Sequence, residues 1–187
     1  MADQIIVITG TPGVGKTTFA KKLNKIMNAK LVEANEVISK YKLYTGTDKY
    51  GTKIVKMRSL EKKLNEIAAK EKGPLILEGH ILADIRIKGA IAIVLREHLT
   101  ELKERLKKRH YASEKIMDNL VSEATDYCGI EASRRYKKVF EFYSRDKSLE
   151  KKMLNAIKGK AEGEYIELLP ELKQILNHKE IFSKSAA

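Results

Sequence analysis

Two features that secreted and membrane proteins depend on are scarce or missing in this sequence. Its 187 residues include a single cysteine, Cys128, which cannot form an internal disulfide and is predicted to be a packed side chain. No apolar run approaches the roughly 20 residues of a membrane-spanning helix, and no secretory segment follows Met1. These absences argue against a membrane protein and favour the cytoplasm, or the nucleus in a eukaryotic cell.

Acidic and aromatic residues are also in short supply. The 25 Asp and Glu residues are outnumbered by 37 Lys and Arg residues, which gives a formal net charge of +12. Such an excess favours polyanionic partners, such as nucleotides, RNA or an RNA-bound particle. Aromatic residues make up only 6% of the chain, and no RNA-binding signature or aromatic stacking platform is legible. A lysine-rich solvated surface explains the charge equally well, so both interpretations stay open.

One stretch near the start of the chain has a defined chemistry. Residues 10–18, GTPGVGKTT, match the phosphate-binding pattern G-x-x-x-x-G-K-[ST]. The apolar, β-branched residues 4–9 precede it and predict a buried strand, and residues 17–27 have helical apolar spacing. Strand, glycine loop and helix together form the context that this motif requires. The sequence therefore predicts a site for a nucleoside triphosphate.

The residue types of this loop explain how it binds phosphate. Gly13 and Gly15 let backbone N–H groups point at an anion, and the helix N-terminus adds partial positive charge. Lys16 is expected to reach the β- and γ-phosphates, and the Thr17 hydroxyl to contact Mg²⁺.

Strand and helix patterns alternate along the chain. Strands are predicted at 4–9, 30–33, 75–77, 90–95 and 163–169, a polar loop at 44–54, and a long helical region from about 116 to 143. Alternation of this kind predicts an α/β fold of three layers, a five-stranded parallel sheet covered by helices on both faces. We expect one P-loop kinase domain over residues 1–180 and a frayed tail over 181–187.

Two further segments favour a small kinase over other P-loop proteins. No Asn-Lys-x-Asp tetrapeptide is evident, which argues against a GTPase. Residues 33–57 are long enough for a flap over a second nucleotide. Arg105 and Arg109 precede a short loop and another helix, and residues 108–118 have the layout of a lid that closes cations over a transferring phosphoryl group. A solvated helix face is the alternative for both arginines.

These segments together resemble a known family. GTPGVGKTT at 10–18, EGH at 78–80, VLR at 94–96 and ERLKKRHY at 104–111 are similar to adenylate kinase isoenzyme 6 and its archaeal relatives. The resemblance covers about residues 5–140. It implies a nucleoside monophosphate kinase that uses ATP, AMP and Mg²⁺, with some intrinsic ATPase activity. It also implies a role in maturation of the small ribosomal subunit, through a ribosomal protein and indirect contact with ribosomal RNA.

The resemblance also implies roles for individual residues. Gly13, Gly15, Lys16, Thr17 and Thr18 would hold the ATP phosphates, with Arg109 near the adenine and phosphates. Catalytic roles would fall to Lys16, Arg109, Glu78 and His80, and Mg²⁺ would be held by Thr17 and, through water, by Glu78.

The flap departs from the family pattern at one position. Ser39 stands where an arginine would grip the AMP phosphate, so Lys40, Lys42 or Arg86 is expected to substitute. Glu78 likewise replaces the usual aspartate, and Lys115 stands where larger adenylate kinases carry an arginine.

Two other function classes stay open at this stage. The first is an ATPase assembly factor whose nucleotide cycle controls binding of a small-subunit ribosomal protein, with kinase turnover incidental. The second is a metabolite kinase acting on a small alcohol, for which Glu78 would be the general base.

Overall fold

The computed structural model describes residues 4–48, 51–160 and 162–184, with side chains up to Asn177. The strands are β1 (Ile5–Thr9), β2 (Lys30–Glu33), β3 (Tyr44–Thr47), β4 (Lys53–Val55), β5 (Leu75–Glu78), β6 (Ala90–Arg96) and β7 (Val139–Tyr143). The helices are α1 (Lys16–Met27), α2 (Ala34–Lys40), α3 (Met57–Lys70), α4 (Leu99–Lys108), α5 (Ser113–Ala124), α6 (Tyr127–Arg135), α7 (Leu149–Ile157) and α8 (Leu169–Lys184). A 3₁₀ helix covers His80–Asp84.

The main sheet contains five parallel strands in the order β2-β5-β1-β6-β7. The central strand β1 is buried along its whole length, as its apolar β-branched sequence predicts for a strand covered on both faces. Its phosphate-binding loop leaves the carboxyl edge of the sheet, the edge at which ligands bind in open α/β folds. The predicted fold class is confirmed.

Helices cover both faces of the sheet. Ile6 and Ile8 of β1 point into a core shared with α1, α4, α5, α7 and α8. Ile5 and Val7 alternate to the opposite face, where α2, α3, α6 and the 3₁₀ helix lie, and where Cys128 is buried. No helix within the described ranges is both long and apolar enough to cross a membrane.

The fifth strand lies elsewhere than the sequence predicts. The expected long helix over 116–143 is wrong, because α5 ends at Ala124, α6 ends at Arg135 and β7 follows. Asp126 separates the two helices with a left-handed φ of 53°, and its carboxylate accepts a hydrogen bond from the Gly129 amide to start α6. The sequence VFEFY of β7 is rich in β-branched and aromatic residues, which favour strands.

The predicted strand at 163–169 is also wrong. These residues run beside β7 without forming a ladder, and the Glu164 amide donates to the Glu141 carbonyl at 2.8 Å. Ile166 and Leu168 are buried in the core beneath α8, so their alternate apolar spacing reflects packing of an irregular segment. The last helix continues to Lys184, beyond the predicted end of the domain, and residues 185–187 of the predicted tail lie outside the described residues.

The flap is more ordered than the predicted loop at 44–54. The described part of this predicted loop forms an antiparallel hairpin of β3 and β4, in which Tyr44 pairs with Val55 and Thr47 with Lys53. Threonine and tyrosine favour strands, and the Asp48 carboxylate accepts from the Thr52 amide at 2.8 Å to tighten the turn. Lys49 and Tyr50, which belong to the same predicted loop, lie outside the described residues.

Candidate active site

Backbone geometry at the phosphate-binding loop requires glycine. Gly10 has a φ of +134°, and a Cβ there would lie 2.3 Å from the Leu95 carbonyl oxygen of the neighbouring strand β6. Gly15 has a φ of +106° and precedes the first residue of α1. The loop therefore turns tightly around the N-terminus of a helix of 12 residues, where free N–H groups favour an anion.

Lys16 lies inside this loop. Its side chain is buried, and its Nζ donates to the Thr11 carbonyl at 3.0 Å. Burial lowers the pKa of Lys16, and the nearby Glu78 carboxylate opposes that shift. The Lys16 ammonium therefore already contacts the loop in which a phosphate group would bind.

Glu78 ends β5 next to the same helix. Its Oε2 accepts a hydrogen bond from the Thr17 hydroxyl at 3.1 Å. Burial raises the pKa of Glu78, while the charge of Lys16 acts in the opposite direction. The longer glutamate side chain thus reaches the Thr17 hydroxyl directly from the strand end.

A hydroxyl and a carboxylate at hydrogen-bonding distance are hard oxygen donors of the kind that Mg²⁺ prefers. Within the described ranges, no three His, Cys, Asp or Glu side chains are grouped so as to hold a metal ion. This donor set fits a Mg²⁺ that takes its other ligands from nucleotide phosphates and water, as is usual in phosphoryl-transfer sites.

A cavity of about 400 Å³ connects these residues with the rest of the predicted site. Its lining comprises Pro12, Gly13, Gly15, Lys16, Thr17, Thr18, Glu33, Asn35, Thr52, Glu78, Gly79, His80, Arg109, Tyr111 and Lys115. The residues that the resemblance implies for catalysis, for the ATP phosphates and for Mg²⁺ therefore all line one cavity.

His80 occupies the first position of the 3₁₀ helix, where its carbonyl accepts from the Thr9 hydroxyl at 3.0 Å. The side chain is exposed at the cavity, and desolvation by the surrounding protein, with the added charges of Lys16 and Lys115, lowers the pKa of His80 to about 4. The imidazole is consequently neutral around neutral pH and can both donate and accept a hydrogen bond at the cavity.

The predicted lid is the junction of two helices. Helix α4 ends at Lys108 and α5 begins at Ser113, so Arg109 lies in the short turn between them and lines the cavity. Lys115, in the first turn of α5, donates to the Thr52 hydroxyl of the flap at 2.8 Å. Lid and flap are therefore in contact across the mouth of the cavity.

A second cavity, of about 270 Å³, adjoins the first beneath the flap. Asn35, Thr52 and His80 line both cavities, and Lys53 belongs to the lining of the second one. The Lys53 ammonium donates to the Ser39 hydroxyl at 2.6 Å. The cation beside Ser39 thus comes from strand β4, a residue that the sequence analysis missed because it treated this segment as a loop.

The other substitutes expected for the missing flap arginine lie elsewhere. Arg86 is wrong for this role, because it lines a cavity with Ala90, the first residue of β6, at the amino edge of the sheet. Neither Lys40 nor Lys42 lines the two cavities at the phosphate-binding loop and the flap. The Lys40 ammonium instead lies 5.7 Å from the centre of the Tyr41 ring.

Arg105 lies behind the loop and not over a phosphate. Its Nη1 donates to the Gly13 carbonyl at 3.2 Å, and its guanidinium forms an ion pair with the buried Glu97 carboxylate. Of the two arginines considered for the lid, only Arg109 lines the cavity.

A buried carboxylate that no motif indicates also holds the loop. The Thr11 hydroxyl donates to Glu123 Oε2 at 2.5 Å, and Arg96 Nε contacts Glu123 Oε1 at 3.2 Å. The Arg96 guanidinium also forms salt bridges to Asp126 at 2.6 Å and Glu141 at 2.7 Å. Arg96 therefore organises a structural network, although its position at the end of β6 would have suited a ligand contact.

Comparisons with known proteins agree with this geometry. Residues 6–126 match a family model described as AAA domain. A Methanocaldococcus jannaschii protein named "Putative adenylate kinase" is 38% identical over 84% of this chain and 88% of its own length. A Methanosarcina barkeri protein of the same name is 40% identical over 78% of this chain and 80% of its own length.

Similarity to solved structures extends to the fold. Shikimate kinase from Bacteroides thetaiotaomicron superposes with a TM-score of 0.53 at 16% identity, over 93% of this chain and 98% of that protein. At this identity the match concerns the fold alone. The sequence relatives identify the family. This chain belongs to the same P-loop family as the Methanocaldococcus and Methanosarcina proteins named "Putative adenylate kinase", as the resemblance in its sequence predicted.

Proposed function

We propose that this protein is a nucleoside monophosphate kinase that transfers the γ-phosphoryl group of ATP to AMP. The observation that carries the proposal is the pair of adjoining cavities, one formed by the phosphate-binding loop and one beneath the flap, which share Asn35, Thr52 and His80. Such an arrangement suits two nucleotides that meet at their phosphates. The name given to the sequence relatives agrees with this substrate pair.

In this reaction the bond between the γ-phosphorus and the bridging β–γ oxygen of ATP breaks, and a phosphate oxygen of AMP forms a new bond to that phosphorus. Both products are ADP. The attacking oxygen is already ionised around neutral pH, so no general base is required, and catalysis rests on positioning and on positive charge. A neutral His80 fits this chemistry as a hydrogen-bonding group that orients a phosphate or a water molecule.

The donor nucleotide would be held by the glycine loop. Backbone N–H groups of residues 13–18, the Lys16 ammonium and the hydroxyls of Thr17 and Thr18 would contact its phosphates. Thr17, and Glu78 through water, would hold Mg²⁺, which neutralises charge on the β- and γ-phosphates when bound. The hydrogen bond between Thr17 and Glu78 already aligns these two side chains.

The acceptor phosphate would be held by the flap. Lys53 and Ser39 form a hydrogen-bonded pair on the lining of the second cavity, and Lys53 supplies a positive charge there. Arg109 and Lys115 line the first cavity from the lid side. Their charges would lie near the transferring phosphoryl group, and the contact between Lys115 and Thr52 would restrict the entry of water.

The test is a product assay with ATP and Mg²⁺, in which ADP and inorganic phosphate are measured with and without each nucleoside monophosphate. We expect AMP to raise ADP formation without an equal rise in phosphate. If phosphate accounts for all ADP whatever acceptor is added, the kinase proposal is wrong. The rival, an ATPase assembly factor acting on a ribosomal protein, would then be the better description.

Replacement of Lys53 with alanine tests the acceptor site. The variant would lose one charge-assisted hydrogen bond to the AMP phosphate, worth about 1.5–3 kcal/mol, so the KM for AMP is expected to rise about 10- to 100-fold. The KM for ATP should change little. Lys40→Ala, on the neighbouring helix α2 but outside both cavity linings, is the matched control. Equal effects of the two substitutions would remove Lys53 from the acceptor site.

Replacement of Arg109 with alanine tests the lid. Loss of one preorganised cation beside the phosphoryl group is expected to remove about 2–4 kcal/mol of transition-state stabilisation, which lowers kcat/KM roughly 30- to 1000-fold. The control is Arg134→Ala on α6, a side chain that is 68% exposed. An Arg109 variant with the kcat/KM of this control would place Arg109 outside the site.

A further inference from the structure

A basic surface lies at the edge of the sheet opposite to the phosphate-binding loop. A cavity of about 480 Å³ opens where the strands begin, between the segment before β6 and the connection from α6 to β7. Strand β1 spans five residues, which separates this edge from the glycine loop by about 15 Å. A ligand here would not touch the nucleotide cavities.

Basic residues dominate the polar lining of this cavity. Arg86, Lys88, Arg135, Lys137 and Lys138 contribute to it, and no acidic residue does. Arg135 is engaged by Glu131 in an ion pair on the same helix. Within the described parts of the chain, the side chains of the other four form no salt bridge, and all four are exposed, so their charges are available to a ligand.

The positive charge continues into a neighbouring cavity of about 560 Å³. Lys88 lines both cavities, and Arg58 and Lys62 of α3 extend the basic lining. Glu61 and Glu66 also line this second cavity: Glu66 pairs with Lys63 at 3.3 Å, and Glu61 accepts from the Arg86 amide at 3.0 Å and keeps its charge, so in the described part of the chain three cations face one unpaired carboxylate there. We call the six cations that line these two cavities, Arg58, Lys62, Arg86, Lys88, Lys137 and Lys138, the amino-edge track.

The distribution of positive charge over this surface indicates its ligand. We propose that the amino-edge track binds the phosphate backbone of single-stranded nucleic acid. Six cations distributed over two cavities that share Lys88 can contact several phosphates of one strand, whereas one small anion would contact only some of them. The inference is independent of the proposed kinase function.

Recognition at the track is independent of base sequence. The described residues that line the two cavities include one aromatic residue, Tyr136, which is 5% exposed. Its hydroxyl oxygen lies 2.8 and 2.9 Å from the Leu82 and Ile85 carbonyl oxygens and shares its one proton between them, so the buried ring is not free to stack on a base. Affinity then comes from phosphate contacts and depends strongly on salt.

The test is fluorescence anisotropy of a labelled oligouridine between about 50 and 200 mM salt. The variant carries Lys137→Gln and Lys138→Gln, and the control carries Lys147→Gln and Lys173→Gln, two exposed lysines outside the track. Loss of two phosphate contacts should reduce the slope of log K against log salt by about 1.4 and the affinity at 0.1 M salt by about 10- to 30-fold. The control should retain the wild-type slope and affinity.

Three outcomes would overturn the inference. The first is no binding by the wild-type protein, or an equal loss in variant and control, which would attribute binding to net charge alone. The second is displacement of the oligouridine by saturating ATP and Mg²⁺, which would place the strand in the nucleotide cavities. The third is equal competition by a polyglutamate peptide of the same charge, which would make the track a site for acidic protein.

Discussion

Replacement of Lys16 with alanine is expected to abolish phosphoryl transfer to AMP and ATP hydrolysis alike. Lys16 is the buried cation inside the glycine loop, and its ammonium already contacts the Thr11 carbonyl. In the transition state it would neutralise charge on the transferring group from a buried position, where a charge interacts more strongly than in bulk water. We expect kcat to fall at least 1000-fold, which corresponds to about 4 kcal/mol.

Lys25→Ala is the matched control for this variant. Lys25 lies on the same helix α1, near its other end, and its side chain is exposed to solvent. Steady-state rates of ADP and phosphate formation should be unchanged in the control. If the Lys16 variant instead retains phosphoryl transfer to AMP, the nucleotide does not bind at the glycine loop, and the assignment of both cavities fails.

Replacement of Arg96 with alanine is expected to give the largest loss of stability. The Arg96 side chain is 1% exposed and contacts Glu123, Asp126 and Glu141. Its removal leaves the buried Glu123 and the half-buried Asp126 and Glu141 without their cation, and breaking a buried pair in this way costs about 3–5 kcal/mol. Urea denaturation should report this fall in the free energy of unfolding.

The control for this variant is Arg134→Ala, which breaks an exposed ion pair with Glu131. Pairs of that kind contribute about 0–1 kcal/mol, and a similarly small loss for Arg96→Ala would mean that the buried network is not stabilising.

The stability deficit of the Arg96 variant should also depend on pH. In the intact protein, burial and the neighbouring Asp126 raise the pKa of Glu141 to about 7, against the opposing charge of Arg96. Burial raises the pKa of Glu123 in the same direction. Without the guanidinium both carboxyls bind protons still more tightly in the folded state, so stability is lost as the pH rises. The difference between wild type and variant should therefore widen as the pH rises through about 7, where Glu141 of the intact protein ionises and that of the variant stays protonated.

The parts that sequence could predict are those in which local pattern and position coincide. Residues 4–27 form strand, glycine loop and helix in consecutive order, and each local preference agrees with the fold. The carboxylate of Glu78 could be placed because this residue stands at the carboxyl end of an apolar strand. His80 follows two residues later and joins the same cavity.

The parts that sequence could not predict depend on contacts between distant segments. Glu123 reaches Thr11 across 112 positions of the chain, and nothing near Glu123 distinguishes it from a solvated helical glutamate. The segment 139–143 has apolar residues compatible with either a helix or a strand, and its place beside β6 decides between them. The position of Lys53 depends on the pairing of β3 with β4, which the local sequence does not predict.

Helix α5 connects the contact between lid and flap to a carboxylate behind the phosphate-binding loop. It carries Lys115, which contacts the flap, in its first turn, and Glu123, which holds the Thr11 hydroxyl, near its last residue. A helix of 12 residues is a stiff rod about 18 Å long. A displacement of the Lys115 end of this helix would therefore also move Glu123 behind the phosphate-binding loop, so that a ligand beneath the flap would be coupled mechanically to that loop.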